Sequence, residues 1–352
     1  MNDSRLTLSV LDLIPVRTGQ TSAQALAATL ELAQRAEALG YHRYWVAEHH
    51  NMEAVASTNP AVLLGLIGSR TQRIHLGSGG VMLPNHAPLV VAEQFALLEA
   101  AFPGRIDLGL GRAPGSDPVI TALLRQSGAV SEVDAFERNI LDIAALLNPE
   151  GAALQLRSGE VYALRATPRA ATSPRLWILG SSDYSARLAA RQGLPYVFAH
   201  HFSGDEAATG RALALYREGF TPSETLGRPQ AFIGVNASVA ATREEAHARA
   251  LPQLQLMARL RSGLPLGPVA TVEEAAAADV GPLQQELIED MAGRWVIDAP
   301  RPAARRLREL AQRFEVPELM VVPFGAEHAG AEPSRAAARL ETLERLAAEL
   351  LG

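Results

Sequence analysis

Histidines follow several of the predicted strands of this chain, at the point where each strand ends. Five of the nine histidines have this position: His49, His50, His86, His200 and His201. An imidazole exchanges protons near neutral pH, so it suits general acid/base chemistry and hydrogen-bond donation. Because the carboxyl ends of parallel strands meet at one edge, we expect a polar, functional face there.

The run Glu48-His49-His50 could suggest a metal site. Consecutive residues at a strand end point in alternating directions, so the three side chains cannot easily face one ion. The spacing also differs from that of a helical zinc motif. We therefore predict no metal and interpret His49 as a general acid/base or hydrogen-bond donor oriented by a neighbour. A structural histidine is the alternative reading of His49 alone.

A second group of residues favours an anion. Arg112 directly follows an apolar strand and Gly111, while Ser181, Ser182 and Ser185 stand where another strand meets a helix. A guanidinium binds phosphate in a bidentate manner, and a helix start offers free N–H groups. A surface salt bridge and ordinary N-capping are the separate alternatives. Taken together, these residues predict phosphate binding.

Residues 74–115 are the most informative stretch. One strand ends in Gly77-Ser78-Gly79-Gly80 and the next in Gly109-Leu110-Gly111. Glycine lets a ligand approach the backbone closely, so we expect a flat, anionic ligand at these ends. No Gly-x-Gly-x-x-Gly opens a helix after the first strand, which disfavours a dinucleotide-binding domain.

Eight apolar strands alternate with helices along the chain. Two lie within residues 74–115, and the others cover residues 6–13, 43–47, 176–179, 196–199, 231–240 and 318–322. This alternation favours a (β/α)₈ TIM barrel over a doubly wound sheet. We predict a single domain over residues 1–352 with insertions: a hairpin at residues 152–166 and a Pro/Gly/Ala-rich segment at residues 261–298, after strand seven. The latter is either a lid over the mouth or a solvated insertion.

Composition excludes several classes of protein. The 352 residues carry a net charge of -6, which argues against binding to nucleic acid or an anionic membrane. There is no cysteine, and all 32 basic residues are arginine, so thiolate and Schiff-base chemistry are excluded. No run is long enough to span a membrane and no signal peptide is recognisable, so we expect a cytoplasmic protein.

Several segments resemble the bacterial luciferase-like flavin-dependent monooxygenase family. They are YHRYWVAEHHN at residues 41–51, LGSGGVMLPNHAPL at 76–89, PGRIDLGLGRAPGSD at 103–117 and WILGSSDYSARLAARQGLP at 177–195. VPELMVV at residues 316–322 is similar to the last strand of the family. The likeness is closest to a group of luciferase-like oxidoreductases of mostly unassigned substrate.

The resemblance implies a TIM barrel that binds FMN at its carboxyl-end face. Reduced FMN would react with O₂ to a 4a-peroxyflavin that oxygenates a small organic substrate such as an aldehyde or ketone. No nicotinamide site is visible, so an NAD(P)H-dependent flavin reductase is implied as the partner that supplies FMNH₂. A homodimer is implied too, with its interface at the helices of residues 60–69 and 89–101.

The resemblance also assigns site residues. His49 matches the histidine near the reacting edge of the flavin, and Gly79-Gly80 matches a non-prolyl cis peptide beneath the ring. The matched phosphate ligands are Arg112, Arg138, Ser182 and Ser185, with Ser181 in contact nearby.

Two alternatives to this function stay open at the level of sequence. One is hydride transfer with a deazaflavin, and the other is a flavin-binding barrel without catalysis. Luciferase has a cysteine beside the phosphate arginine where this chain has Gly111, a departure that disfavours light emission and a long-chain aldehyde substrate.

Overall fold

Eight parallel strands close into a barrel in the computed structural model, which describes residues 6–113, 115, 118–125 and 133–352. The strands are β1 (Thr7–Asp12), β2 (Arg43–Val46), β3 (His75–Ser78), β4 (Val81–Met82), β5 (Ile106–Gly111), β6 (Ala152–Gln155), β7 (Val161–Leu164), β8 (Arg175–Gly180), β9 (Tyr196–Phe198), β10 (Ala231–Val239), β11 (Val296–Asp298) and β12 (Glu318–Pro323). The barrel order is β1-β2-β3-β5-β8-β9-β10-β12, with β12 pairing back to β1. The predicted (β/α)₈ TIM barrel is confirmed.

Helices follow the barrel strands and pack around them. They are α1 (Ser22–Ala38), α2 (Pro60–Gly68), α3 (Pro88–Ala101), α4 (Pro118–Arg125), α5 (Phe136–Leu147), α6 (Asp183–Arg191), α7 (His200–Ser203), α8 (Glu206–Glu218), α9 (Arg243–Arg261), α10 (Val272–Ala277), α11 (Pro282–Arg294), α12 (Pro300–Arg313) and α13 (Ala337–Leu350). Short 3-10 turns cover Leu83–Asn85 and Val133–Ala135. None of the helices in the described ranges is long and apolar enough to cross a membrane.

Local signals in the sequence set many of these boundaries. Thr21 and Gln24 form a capping box at the start of α1, and Asn59 caps α2 with Pro60 in its first turn. Strands β1, β5, β10 and β12 are buried at nearly every position because helices cover the outer face and the barrel core covers the inner one.

The barrel interior is a packed core. Trp45, Trp177 and Phe232 form an aromatic layer with ring centroids 4.9–5.7 Å apart. At the amino end of the strands, the buried Arg43 guanidinium binds Asp107 at 2.6 Å and Glu318 at 2.9 Å. These two layers close the barrel from below.

The segment after β10 forms more structure than its composition indicated. It contains α10, α11 and β11, and β11 pairs in parallel with the end of β10. Ile288, Met291 and Trp295 pack with residues of α9 in a second small core. The sequence predicts some helix in residues 261–298, which α10 and α11 confirm, but it does not predict the strand β11. The role of residues 261–298 as a lid stays a prediction.

Other boundaries differ in detail from the sequence-based expectations. The hairpin of residues 152–166 is confirmed as β6 and β7. The sequence predicts a last helix from residue 333, but the helix begins at Ala337 because the carbonyl oxygens of residues 331–333 accept hydrogen bonds from Arg17 and Gln20. For residues 115–131 the sequence predicts irregular or partly helical structure. Within this stretch α4 is helical, and residues 116–117 and 126–131 lie outside the described residues.

Candidate active site

The residues that follow β2 alternate in direction, as the sequence indicated. Glu48 is fully buried, and His50 Nε2 lies 2.9 Å from one of its carboxylate oxygens, Oε1. The side chain of His49, which lies between them in the sequence, forms no hydrogen bond with Glu48 or His50. Among the described residues, no group of three or more metal-binding side chains could hold an ion.

Glu48 also receives two donors from the segment that follows β3. His86 Nε2 lies 2.7 Å from Oε1, and the backbone N–H of Met82 donates to Oε2 at 2.9 Å. Burial alone would raise the pKa of Glu48, but the bonds from His50, His86 and Met82 outweigh it and lower the pKa to about 2. The carboxylate is therefore ionised throughout the physiological range. Sequence reasoning missed this role of Glu48, although its place before two histidines was a signal.

His49 presents an unsatisfied polar atom at the mouth. Its Nδ1 is buried and has no hydrogen-bond partner among the described residues. Burial lowers the pKa of His49, and this outweighs the opposing effect of the nearby Glu48 carboxylate. The imidazole is therefore neutral at pH 7, and a buried nitrogen without a partner favours a ligand that supplies one.

The two histidines after β9 do not form one functional pair. His200 is buried, its Nδ1 lies 2.7 Å from Thr209 Oγ1, and its ring packs on Phe314. His201 packs instead against Gly234 of β10, where a Cβ would lie 2.4 Å from its Nδ1. The expectation of a single face of five histidines is therefore wrong for His200, since the single turn α7 directs it toward α8.

The glycines of residues 74–115 are used largely for packing within the protein. A Cβ on Gly79 would lie 2.6 Å from Leu11, one on Gly80 would lie 2.9 Å from the Gly109 carbonyl, and one on Gly109 would meet the Ser78 carbonyl at 2.0 Å. The Gly79-Gly80 peptide bond is cis, as the resemblance implied. Contact of Gly79 and Gly80 with a cofactor stays a prediction.

Arg112 lies against the first turn of α6. Its guanidinium stacks on the Tyr184 ring at 4.1 Å, and no carboxylate within the described ranges forms an ion pair with it. Ser181 and Ser182 are exposed, and the Ser182 N-cap makes no side-chain capping bond. The structure thus brings the arginine and the serines together, and it adds Tyr184, which sequence reasoning missed.

The remaining predicted phosphate ligands are placed differently. Ser185 is buried, and its hydroxyl donates to the Ser182 carbonyl at 2.8 Å and lies 3.2 Å from the Tyr196 hydroxyl. Arg138 is exposed on α5, and no hydrogen bond or ion pair in the described part of the chain joins it to Arg112 or the serines. Both assignments stay predictions.

The residues present fit a flavin mononucleotide. Arg112, the exposed serines and the free N–H groups at the start of α6 suit a phosphate. The unpartnered Nδ1 of His49 suits a polar heterocycle or a substrate held beside one.

The comparison with protein families decides the relationship. The model described as luciferase-like monooxygenase matches residues 6–348, nearly the whole chain. The protein belongs to this family. Its membership establishes an oxidoreductase on a TIM barrel and confirms the resemblance seen in the sequence.

Two relatives in this family come from Bacillus subtilis (strain 168). The uncharacterized protein YvbT is 41% identical over 322 residues, which cover 92% of each chain. An N-acetyl-S-alkylcysteine monooxygenase is 37% identical over 272 residues, covering 77% of this chain and 79% of the relative.

Solved structures extend the comparison. Apo-MsnO8 superposes with a TM-score of 0.85 at 32% identity and covers 99% of this chain and 98% of its own. Two more distant structures share the fold alone. One is the oxygenating constituent of 3,6-diketocamphane monooxygenase from Pseudomonas putida in complex with FMN, with a TM-score of 0.69 at 16% identity, covering 98% of this chain and 97% of its own. The other is an F420-dependent secondary alcohol dehydrogenase, with a TM-score of 0.61 at 15% identity, covering 98% and 99%.

Proposed function

We propose that this protein is an FMN-dependent monooxygenase that uses reduced FMN and O₂ to oxygenate a small organic substrate. The observation that carries the proposal is the arrangement of Arg112 on the first turn of α6, at the same barrel end as the unpartnered imidazole of His49. Within the family, a relative that covers 77% of this chain is named a monooxygenase.

Each part of the site has a binding task. Arg112, held flat by Tyr184, pairs with the phosphate, and the backbone N–H groups at the start of α6 bind its remaining oxygens. Ser181 and Ser182 add hydroxyl donors. The backbone of Gly79 and Gly80 forms the surface beside the ring. Arg138 and Ser185 complete the phosphate site in this proposal.

His49 is the catalytic group in this proposal. Because burial keeps its imidazole neutral, Nδ1 can accept a proton from a bound group or donate one to it without first losing a charge. Bound reduced FMN would supply the electrons that activate O₂, a task that these side chains cannot perform. The aromatic layer of Trp45, Trp177 and Phe232 closes the barrel beneath the site and keeps water from entering there.

The partners follow from this chemistry. A separate NAD(P)H-dependent flavin reductase supplies FMNH₂. The protein assembles as a homodimer through α2 and α3, which leave an apolar stripe in solvent: Val62, Leu66, Val90 and Leu97 are 61%, 44%, 49% and 58% exposed. Five further apolar residues of these two helices are buried in the barrel core and do not extend the stripe: Leu63, Leu64, Ile67, Phe95 and Leu98.

The test of function begins with the cofactor. Equilibrium titration compares binding of FMN and F420, and stopped-flow mixing follows the oxidation of FMNH₂ in air with and without the protein. We expect FMN to bind more tightly than F420 and the protein to change the oxidation rate. Tight F420 binding without FMN binding would assign hydride transfer, and an unchanged oxidation rate would contradict the proposal.

A substrate panel follows, with reductase and NADH present. It contains aldehydes, ketones and an N-acetyl-S-alkylcysteine, and ¹⁸O₂ reports whether the product contains oxygen from O₂. Sedimentation at low concentration tests the dimer, with Leu97→Glu as the variant expected to give monomers. A monomeric wild-type protein would remove the homodimer from the proposal and leave the enzymatic part intact.

A further inference from the structure

One buried carboxylate joins two elements at the mouth of the barrel. Glu48 and His50 follow β2, whereas His86 and Met82 belong to the segment after β3. The hydrogen bonds from His50, His86 and Met82 to Glu48 are 2.7–2.9 Å long. Oε1 accepts from both histidines and Oε2 accepts from the Met82 backbone. No arginine forms an ion pair with this carboxylate among the described residues.

The contacts to the histidines determine which ring nitrogen carries the proton. A carboxylate accepts hydrogen bonds, so Nε2 of His50 and Nε2 of His86 must both be protonated. In the neutral rings, Nδ1 is then left as an acceptor. The side chains of His50 and His86 are 19% and 30% exposed, so both rings lie at the edge of the mouth, unlike Glu48 at 1%.

The contact to Met82 fixes a different part of the site. Met82 lies two residues after the cis Gly79-Gly80 peptide and pairs with Gly111 of β5. Its side chain lies beside Gly111 and Gly115, at the end of the strand that carries Arg112. Glu48 therefore also anchors the backbone between the proposed ring surface and the phosphate side.

We propose that Glu48 is a positioning residue for the whole mouth. It holds His50 and His86 as Nε2–H tautomers whose Nδ1 atoms accept hydrogen bonds, and it tethers Met82 behind the Gly79-Gly80 peptide. The use of this arrangement in catalysis rests on the proposed function, but the arrangement itself does not. A carboxylate with only a structural role would stabilise the fold without determining the tautomers.

The first experiment reads the tautomers without any cofactor. The protein is labelled with ¹⁵N-histidine, and long-range ¹H–¹⁵N spectra are recorded at about pH 8.5, where an ordinary histidine is neutral. His50→Gln and His86→Gln assign the signals. We expect a protonated Nε2 in both rings. An unprotonated Nε2 in either ring of the wild-type protein would overturn the proposal before any Glu48 variant is made.

Glu48→Gln is the decisive variant because it has the same shape. An amide has one acceptor oxygen, so it cannot accept from both histidines on one side and from Met82 on the other. We expect at least one ring to lose its Nε2 proton, or the Met82 amide to exchange faster by about tenfold or more. Spectra unchanged from those of the wild type would contradict the proposal.

Glu99→Gln is the matched control. Glu99 is also fully buried, but it accepts from the Gly104 backbone and from Thr172 and lies in the last turns of α3, away from the mouth. We expect its loss to affect stability and to leave the signals of His50 and His86 in place. A change in those signals of similar size would mean that they report general loosening, which overturns the specific role of Glu48.

FMN titration then tests whether the hydrogen bonds to Glu48 affect cofactor binding. We expect Glu48→Gln and Glu48→Asp to bind FMN about tenfold more weakly, with normal affinity in Glu99→Gln. If the tautomers respond but the wild-type protein binds no FMN, the proposed function fails and the positioning role stands. If the wild-type protein binds FMN and the tautomers do not respond, the positioning role alone fails.

Discussion

Two buried carboxylate clusters of this barrel, one near each end, have different hydrogen-bond partners. At the amino end, Asp107 and Glu318 share one guanidinium, that of Arg43. Toward the carboxyl end, Glu48 forms no ion pair with an arginine among the described residues and receives its three donors from His50, His86 and Met82. Burial raises the pKa of Glu318 although Arg43 and Ser9 oppose the shift, whereas the donors lower the pKa of Glu48 to about 2.

The chemistry of the donors distinguishes the two clusters. A guanidinium keeps its charge at every physiological pH, so the amino-end cluster is a constant part of the core. The imidazoles of His50 and His86 are partly open to solvent, and their Nε2 atoms point at the carboxylate. A buried carboxylate by itself therefore indicates neither a stabilising nor a catalytic role, because the role depends on its partners.

A third cluster lies outside the barrel and has one histidine between two carboxylates, whereas Glu48 is one carboxylate between two histidines. The histidine is His328, with Nδ1 2.7 Å from Glu273 and Nε2 3.0 Å from Glu245. This cluster is exposed, so solvent screens its charges, and we expect it to stabilise the protein least of the three clusters.

The largest effect is expected at the amino end. Arg43→Met leaves two carboxylates buried without their cation, which costs about 3–5 kcal/mol of unfolding free energy. Urea unfolding measures the loss. Arg35→Met, which removes the exposed pair with Glu344, is the control and should cost less than about 1 kcal/mol. A small loss in Arg43→Met would show that the amino-end cluster is not a stabilising part of the core.

The next effect is on turnover at the carboxyl end. We expect His49→Ala to lower the rate of substrate oxidation by about 10²- to 10⁴-fold, because it removes the group that we propose transfers a proton. His42→Gln changes a histidine at the amino end of the barrel and should leave turnover within about twofold. Assays with the reductase measure both, and circular dichroism checks the fold. Equal turnover in His49→Ala and the wild type would make His49 structural.

A smaller effect is expected on cofactor affinity. Arg112→Met removes the charge-assisted bond that we propose to the phosphate, so FMN should bind about 10- to 100-fold more weakly. Arg138→Met tests the second predicted arginine, for which we expect a smaller loss because its side chain is exposed on α5. Arg187→Met, on the exposed face of α6, is the control for general charge. If Arg138→Met weakens binding more than Arg112→Met, the phosphate lies nearer to α5 than we propose.

The smallest effect concerns His328. Hydrogen bonds from Glu245 and Glu273 raise its pKa in the folded protein above the usual 6.5. Its stabilisation is therefore fully present below about pH 6.5 and is lost as the pH rises through the folded-state value. We expect His328→Gln to lower stability by less than about 1 kcal/mol at pH 6 and to have no effect at high pH. Unfolding curves at several pH values measure this, and an equal loss at every pH would contradict it.

Much of the fold was predictable because its signals are local. Each barrel strand is a short apolar run next to a turn residue, and helices such as α1 and α2 begin at side chains that cap them. The strand β11 was missed because it consists of Val296–Asp298 alone and forms by pairing with a distant strand. A run of three residues has no periodicity to detect.

The order of the strands, the barrel and the family can be predicted from the sequence, since contiguous segments carry those signals. The sequence also predicts a site at His49, Arg112 and the serines at the start of α6. Which side chains meet at the mouth depends on the tertiary structure. Glu48 contacts His86, 38 residues away, Arg112 stacks on Tyr184, and His200 turns to Thr209. These contacts depend on where each side chain points after its strand and on how distant loops fold back, which no local pattern records.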